Sequence, residues 1–447
     1  VVPPTKITRT AMLVWGVGVG SYMLTVFLRS SLSVAGLLAQ DRFGINASQL
    51  ATFTMLQLLV YTALQVPAGL AVDRFGPRRL LIGGITVLAL AQVGFALAST
   101  YPAALLARVF TGAGDAVIFM SVLRLVNSWF PTMRVPLFTQ ITGFLGQLGA
   151  MSATVPVTLL LRSAGWTTTF LAPAFLGLVF VGLLAAFVRD TPEHRNRSGT
   201  PISRRHITGT LREVWGRTGT RLGFWVHFSC TFSGNFFVLL WGYPYLVEAQ
   251  HVDPINAGLM LTCITLVAVL VAPLVGQFVA HRPFHRSTLV LATLGFQMTA
   301  WAAVLLWPGT APLWLLGVLA AAMGTCAPVS MIGFDYARTS NPADQQGSAT
   351  GVINQGGFIA TIVSVLTVGL ILDALTPAGQ PHTAEAFGWA MSFQFVPWVI
   401  GTAQVVRYRV RSRNEFRDRD VDAYERFRRG DLSVDWNLSV RPPEPGR

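Results

Sequence analysis

The chain has 447 residues, 52% of them hydrophobic and only 12% charged, against about 25% charged in an average soluble domain. That balance, with a formal net charge of +13 and long apolar runs, excludes a soluble enzyme, a nucleic-acid-binding protein or a disordered scaffold as readings of the whole chain. Lys6 is the sole lysine, so no phosphate-binding loop with its obligatory lysine exists, and any pumping must draw on ion gradients.

Spanning a bilayer takes about 20 mostly apolar residues. Twelve segments meet that expectation, near residues 11–38, 47–72, 80–99, 102–129, 136–161, 167–188, 220–247, 255–280, 287–307, 311–337, 346–374 and 384–406. They are too long for strands, so the predicted class is an all-α integral membrane protein. The first exceeds the apolar core of a leader peptide and precedes eleven more, so it reads as a span. Cys230, Cys263 and Cys326 lie in apolar runs at wide spacing, which indicates neither a disulfide framework nor a metal cluster.

A polar stretch, 189–219, carries Arg195, Arg197, Arg204, Arg205, Arg212 and Arg217 and divides the segments six plus six. The expected organisation is a six-helix bundle over 1–188, a linker over 189–219, a second bundle over 220–406 and a tail over 407–447. That tail mixes 11 arginines with eight acids and ends in RPPEPGR, a composition read as partly disordered, with a basic start suited to anionic lipid headgroups. With a cytoplasmic N-terminus, the inner segments hold Arg74, Arg78, Arg79, Arg134, the linker cluster, Arg282, Arg286, Arg338 and the tail, while the outer side holds only Arg42 and Arg162. This positive-inside asymmetry predicts both termini in the cytoplasm and accounts for the net charge without nucleic acid.

The halves repeat. GLAVDRFGPRR (Gly69–Arg79) follows the second segment and GQFVAHRPFHR (Gly276–Arg286) the eighth; GWTTTF (Gly165–Phe170) opens the sixth and GWAMSF (Gly388–Phe393) the twelfth. Two pseudo-symmetric parallel halves are an architecture of secondary transporters, whose substrate binds near the midplane.

Gly69–Arg79 resembles the loop motif G-x-x-x-D-R-x-G-x-[RK]-[RK] of the major facilitator superfamily, and the six-plus-six plan extends that resemblance over 1–406. The resemblance implies a gating latch built on Gly69, Asp73, Arg74, Gly76, Arg78 and Arg79; the bland alternative is a merely topogenic basic loop. Arg108–Ala116 (RVFTGAGDA) is similar to the superfamily's fourth-span motif. Arg29–Ala35 (RSSLSVA), with Asp115 seven residues beyond Arg108 and Tyr61, Gln65 and Pro67 in a Y-x-x-x-Q-x-P pattern, resembles the anion:cation symporter branch. Leu28 stands where several symporters of that branch carry an Asp, and Thr231 where some carry a further Arg.

The residues themselves point the same way. Arg or Asp at a helix centre costs about 2.5–3.5 kcal/mol and needs a partner or a wet cavity. Asp115 is the one acid deep in a segment, with Arg29 and Arg108 similarly deep; Asp335 sits nearer an end. Seven residues separate Arg108 from Asp115, placing them on one helix face about 10 Å apart, with room for a ligand. Planar guanidinium suits a carboxylate or phosphate. Arg29, Arg108, Tyr61, Gln65, Asn235, Asn354 and Gln355 are therefore substrate-binding candidates, Asp115 and His227 proton-coupling candidates, and Arg124 a gating residue on the opposite face. Each has a structural rival reading: arginines bonded to helix carbonyls, Asp115 as a fixed counter-charge, His227 as an interior hydrogen-bonding residue.

The expectation is thus a proton-coupled symporter of a small organic anion, working by alternating access as a plasma-membrane monomer. It is not an enzyme and carries no metal or cofactor. A drug or metabolite exporter of the same fold is the alternative, and a membrane sensor with a partner-recruiting tail a remoter one.

Overall fold

The computed structural model describes residues 6–45, 47–196, 199, 204–376 and 382–434. Its contacts divide the chain into two compact units, Val1–Arg212 with Ala343–Val352, and Glu213–Pro342 with Ile353–Arg447. The division falls inside the expected linker, while Ala343–Val352, which includes the first seven residues of the eleventh segment, joins the first unit.

The first unit is built from α1 (Arg9–Phe43), α2 (Ala47–Ala63), α3 (Gln65–Phe75), α4 (Pro77–Leu97), α5 (Tyr101–Asp115), α6 (Ile118–Trp129), α7 (Val135–Ser152) and α8 (Thr154–Phe187). Helices α2 and α3 form one segment bent by 49°. The cause is local: Pro67 has no N–H to give the carbonyl of Ala63, so the ladder breaks there. At Gly165 the backbone turns through φ 73° inside α8, a conformation glycine adopts without a Cβ penalty; this point separates the fifth segment from the sixth. Gly388, its counterpart in the sequence repeat, instead lies within a regular helix, so the two copies start their last segments differently.

Helix α9 (Arg204–Gly216) carries the chain onward, so the linker is partly helical; Arg197 lies outside the described residues. The second unit holds α10 (Thr218–Phe236), α11 (Gly242–Pro244), α12 (Pro254–His281), α13 (Arg286–Leu305), α14 (Leu313–Gly324), α15 (Cys326–Ser330), α16 (Ile332–Ser340), most of α17 (Gln346–Leu375), α18 (Ala384–Ser392), α19 (Phe395–Arg419) and α20 (Val421–Arg428). Wide π-turns flank α11, where Pro244 cannot donate to the ladder. Asp253 caps α12, accepting from the backbone N–H of Ile255 at 3.0 Å and Asn256 at 3.3 Å, and Pro254 fits the first helical position.

Packing repeats between the units. In the first, α5 packs on α2 and α4, and α8 on α1 and α4; in the second, α14 packs on α12 and α13, and α19 on α10 and α13. The equivalent segments pair equivalently in both, as an internal duplication requires.

Among the described residues, nine helices are long and apolar enough to cross a membrane, ten with the bent pair. The two remaining apolar segments, 136–161 and 384–406, are also helical, as α7 with the start of α8 and as α18 with α19. Large apolar side chains are exposed along the spanning helices, among them Leu266, Leu270 and Leu274 on α12 and Phe175 on α8, a surface that suits lipid. The chain is a multi-pass membrane protein.

The described part of the tail is largely helical. Helix α19 runs to Arg419, α20 follows with Asp420 as its cap, and Phe427 is buried. The Pro-rich end from 435 lies outside the described residues.

Candidate functional site

Two apolar clusters close the ends of the first unit. Trp15, Trp129, Phe130 and Phe138 gather at one, and Phe53, Phe95, Trp166 and Phe170 at the other. Between them, Arg29 of α1 sets Nη1 3.3 Å from Oδ2 of Asp115, the last residue of α5. The bond is single and long for a charge-assisted one. Arg29 keeps 32% of its side chain exposed while Asp115 keeps 1%, and Oδ1 of Asp115 has no hydrogen-bond partner among the described residues. The guanidinium lies 5.7 Å from the ring centre of Tyr61, and Tyr22 also neighbours it.

Arg108 does not join this pair. Its guanidinium carbon stacks 3.8 Å from the Phe95 ring centre, fully buried, with no hydrogen bond to its three nitrogens among the described residues. Arg108 and Asp115 thus share helix α5 but meet different partners, Asp115 pairing with Arg29. Asp115 sits where α5 gives way to α6 at Ala116–Val117, and Arg108 lies against the aromatic end cluster. Gln65 is fully buried and donates to the Tyr61 carbonyl at 3.1 Å, spanning the bend that Pro67 imposes.

The motif Gly69–Arg79 has a defined target. Asp73 accepts hydrogen bonds from the backbone N–H of Gly347 (2.8 Å) and Ser348 (2.7 Å) and from the Ser348 hydroxyl (2.7 Å). These are among the first N–H groups of α17, left without partners in their own helix, so Asp73 caps it from a remote position and its charge complements the helix dipole. Arg124 donates to Gln346 Oε1 at 3.0 Å beside the cap. Close approach needs glycine: a Cβ on Gly69 would lie 2.4 Å from the Gly347 carbonyl oxygen. Gly76 turns the chain at φ 80°, against Asp190, which accepts from the Arg78 backbone N–H at 2.8 Å. Arg78 bonds the Ala185 carbonyl and Asn196, Arg74 bonds the Gly199 carbonyl, and Arg79 is exposed.

In the second unit, His227 on α10 lies 3.3 Å from the Ser330 carbonyl and 3.2 Å from the Thr231 hydroxyl, with Asn354 of α17 in interaction range. A Cβ on Gly357 would meet its ring at 2.7 Å. Asn235 is half-buried two turns further along the same face, and Gln355 is half-buried beside Asn354. The motif's second copy, which lost its Asp, satisfies Arg286 differently: Asp335 of α16 binds both Arg286 and Arg338.

Sequence reasoning missed Tyr22, the α17 residues that receive Asp73, and Asp335 as a ligand of two arginines. Gly146 gave a trace of the first, since a Cβ there would overlap Tyr22 at 2.3 Å.

The chain is 25% identical over 386 residues, 82% of its length and 88% of the relative's, to a probable sulfoacetate transporter, SauU, of Cupriavidus necator. It is 23% identical over 262 residues, 58% of its length and 62% of the relative's, to a hexuronate transporter of Bacillus subtilis. The solved structure of the proton:xylose symporter XylE matches with a TM-score of 0.67 at 14% identity, covering 88% of this chain and 96% of that one. The model of the Major Facilitator Superfamily matches residues 18–365, and the chain, a transporter rather than an enzyme, belongs to that family.

Proposed function

We propose that the protein is a secondary active transporter that takes up a small organic anion together with protons, by alternating access, in the plasma membrane and with both termini cytoplasmic. The observation that carries this reading is the Arg29–Asp115 pair. Arg29 meets Asp115 through one 3.3 Å bond, keeps a third of its side chain exposed and otherwise bonds Tyr22 and Tyr61, so its fork can turn to a carboxylate or sulfonate by exchanging these contacts for a bidentate one. An anion arriving at Arg29 weakens the hold on Asp115, whose bare Oδ1 takes a proton; when the anion leaves, Asp115 releases the proton and pairs again. Substrate and proton then move together, which is symport.

Arg29 is the anion ligand, Tyr61 and Gln65 shape its surroundings, and Asp115 carries the proton. His227 is the second proton-responsive group, and Asn235, Asn354 and Gln355 are hydrogen-bonding candidates for substrate hydroxyls. The Asp73 cap with Arg124 is the latch, made in one conformation and released in another. The substrate class draws support from relatives named for sulfoacetate, hexuronate and L-galactonate. The test is uptake of labelled sulfoacetate, glucuronate and galactonate by proteoliposomes of the monomeric protein under an imposed pH gradient. Accumulation of one that collapses with a protonophore supports the reading, and no uptake of any of them removes it.

A second reading, drug export by the same fold, rests on a relative named for methylenomycin A resistance, 24% identical over 77% of this chain. Net flux outward along an inward proton gradient would favour it.

A further inference from the structure

At one end of the second unit, the start of α10, the α12–α13 turn and the ends of α16 and α19 enclose a cavity of about 310 Å³. Five arginines line it (Arg217, Arg286, Arg409, Arg413 and Arg419) against one carboxylate, Glu415. That acid is already engaged, accepting from Arg411 Nε at 2.9 Å and from the Thr218 hydroxyl at 2.8 Å. Arg286 is matched by Asp335 and stacks 3.7 Å from the Tyr336 ring centre.

Helix α19 supplies three of the five. Arg409, Arg413 and Phe416 follow one another at helical spacing on one face, beyond the end of the apolar span at residue 406. Like charges four residues apart destabilise a helix unless an anion lies between them. Burial and the neighbouring Arg409 hold Arg413 below the usual arginine range, so the crowding is felt. Arg409 donates to the Thr288 hydroxyl at 2.8 Å, and Arg413 to the Phe284 carbonyl at 3.1 Å while lying over the Phe284 ring. These contacts fix both heads in place. Helix α20 folds back to complete the wall: Phe427 packs 5.7 Å from Phe284 and 5.8 Å from Phe416. The first residues of α10, Thr218 and Gly219, add a helix start, whose N–H groups favour anions.

We infer that this cavity is a binding site for a phosphate-bearing group, held by Arg409, Arg413 and the start of α10 and walled by α20. Guanidinium forks match phosphate geometry. A basic pocket at helix ends beside the bilayer suits either a lipid headgroup or a free phosphate compound. The site is separate from Arg29 and Asp115 and does not depend on the transport reading.

The test uses delipidated full-length protein in neutral detergent, with two probes: pyrophosphate, followed by thermal shift, and phosphatidylglycerol, followed by native mass spectrometry. At least one should bind saturably. Binding should weaken about tenfold or more in Arg409→Gln/Arg413→Gln, yet stay within about twofold in Arg407→Gln, which removes an arginine of the same helix outside the cavity. Pyrophosphate binding identifies a free phosphate as the ligand, and binding of the lipid alone identifies a headgroup. Should the double variant fail to elute as a monodisperse peak, Arg409→Gln alone serves, with a smaller loss in the same direction. Binding of neither probe, or equal weakening in Arg407→Gln, overturns the proposal.

Discussion

Arg29 on α1 and Asp115 on α5 lie 86 residues apart in sequence and 3.3 Å apart in space. The contact is one-sided: the acid is buried, the arginine a third exposed, and one carboxylate oxygen bonds while the other has no hydrogen-bond partner among the described residues. In the proposed cycle, an anion takes Asp115's place at Arg29 and a proton neutralises the buried carboxylate that would otherwise be left uncompensated. Arg29→Lys tests the arginine half. Lysine keeps the charge but not the fork, so anion affinity should fall about tenfold or more, as for loss of one bidentate bond. Titration of the purified variant with the transported anion checks this, and unchanged affinity would make Arg29 structural.

Arg108 yields the opposite expectation. A buried charge without hydrogen bonds is costly, and replacing such a group by an apolar one is often neutral or stabilising by about 1–4 kcal/mol, less what the stacking on Phe95 contributes. Arg108→Leu should therefore fold, melt no lower than wild type and keep anion affinity within about threefold. A large affinity loss would return Arg108 to the binding site.

The cap of α17 is testable without any substrate. Asp73→Asn keeps the shape but removes the charge; hydrogen bonds to charged groups are worth about 1.5–3 kcal/mol. Amide hydrogen exchange over 347–350 should accelerate in the variant while α4 and α5 keep their protection. Unaltered exchange there would mean the cap contributes nothing.

Gly146→Val probes the packing beside Arg29. The added Cβ would meet the Tyr22 ring at 2.3 Å, and overpacking of this kind costs about 1–3 kcal/mol. A lower melting temperature in detergent is expected; Tyr22→Ala in the same chain should restore part of it.

The architecture was largely legible because apolar run length is set by bilayer thickness, and arginine bias and the paired GLAVDRFGPRR and GQFVAHRPFHR strings marked the repeat. Helix-face arithmetic places Arg108 and Asp115 along one helix, α5, but it cannot say what each meets across the bundle. Arg108 stacks on Phe95 while Asp115 pairs with Arg29, and nothing in a single sequence says that an arginine 86 positions away reaches that acid. The same limit hid the target of Asp73, 274 residues downstream. Charge content also hid the helical part of the tail, where Tyr424 and Phe427 pack on Phe284 and Phe427 on Phe416.

Asp115→Asn tests the central claim most directly, because the amide imitates the protonated acid permanently. In proteoliposomes loaded with unlabelled anion, the variant should still exchange it for labelled anion by counterflow. In the same vesicles under an imposed pH gradient, it should fail to accumulate the anion, whereas wild type concentrates it. Accumulation by the variant that still follows the gradient would contradict the account and place the proton path elsewhere.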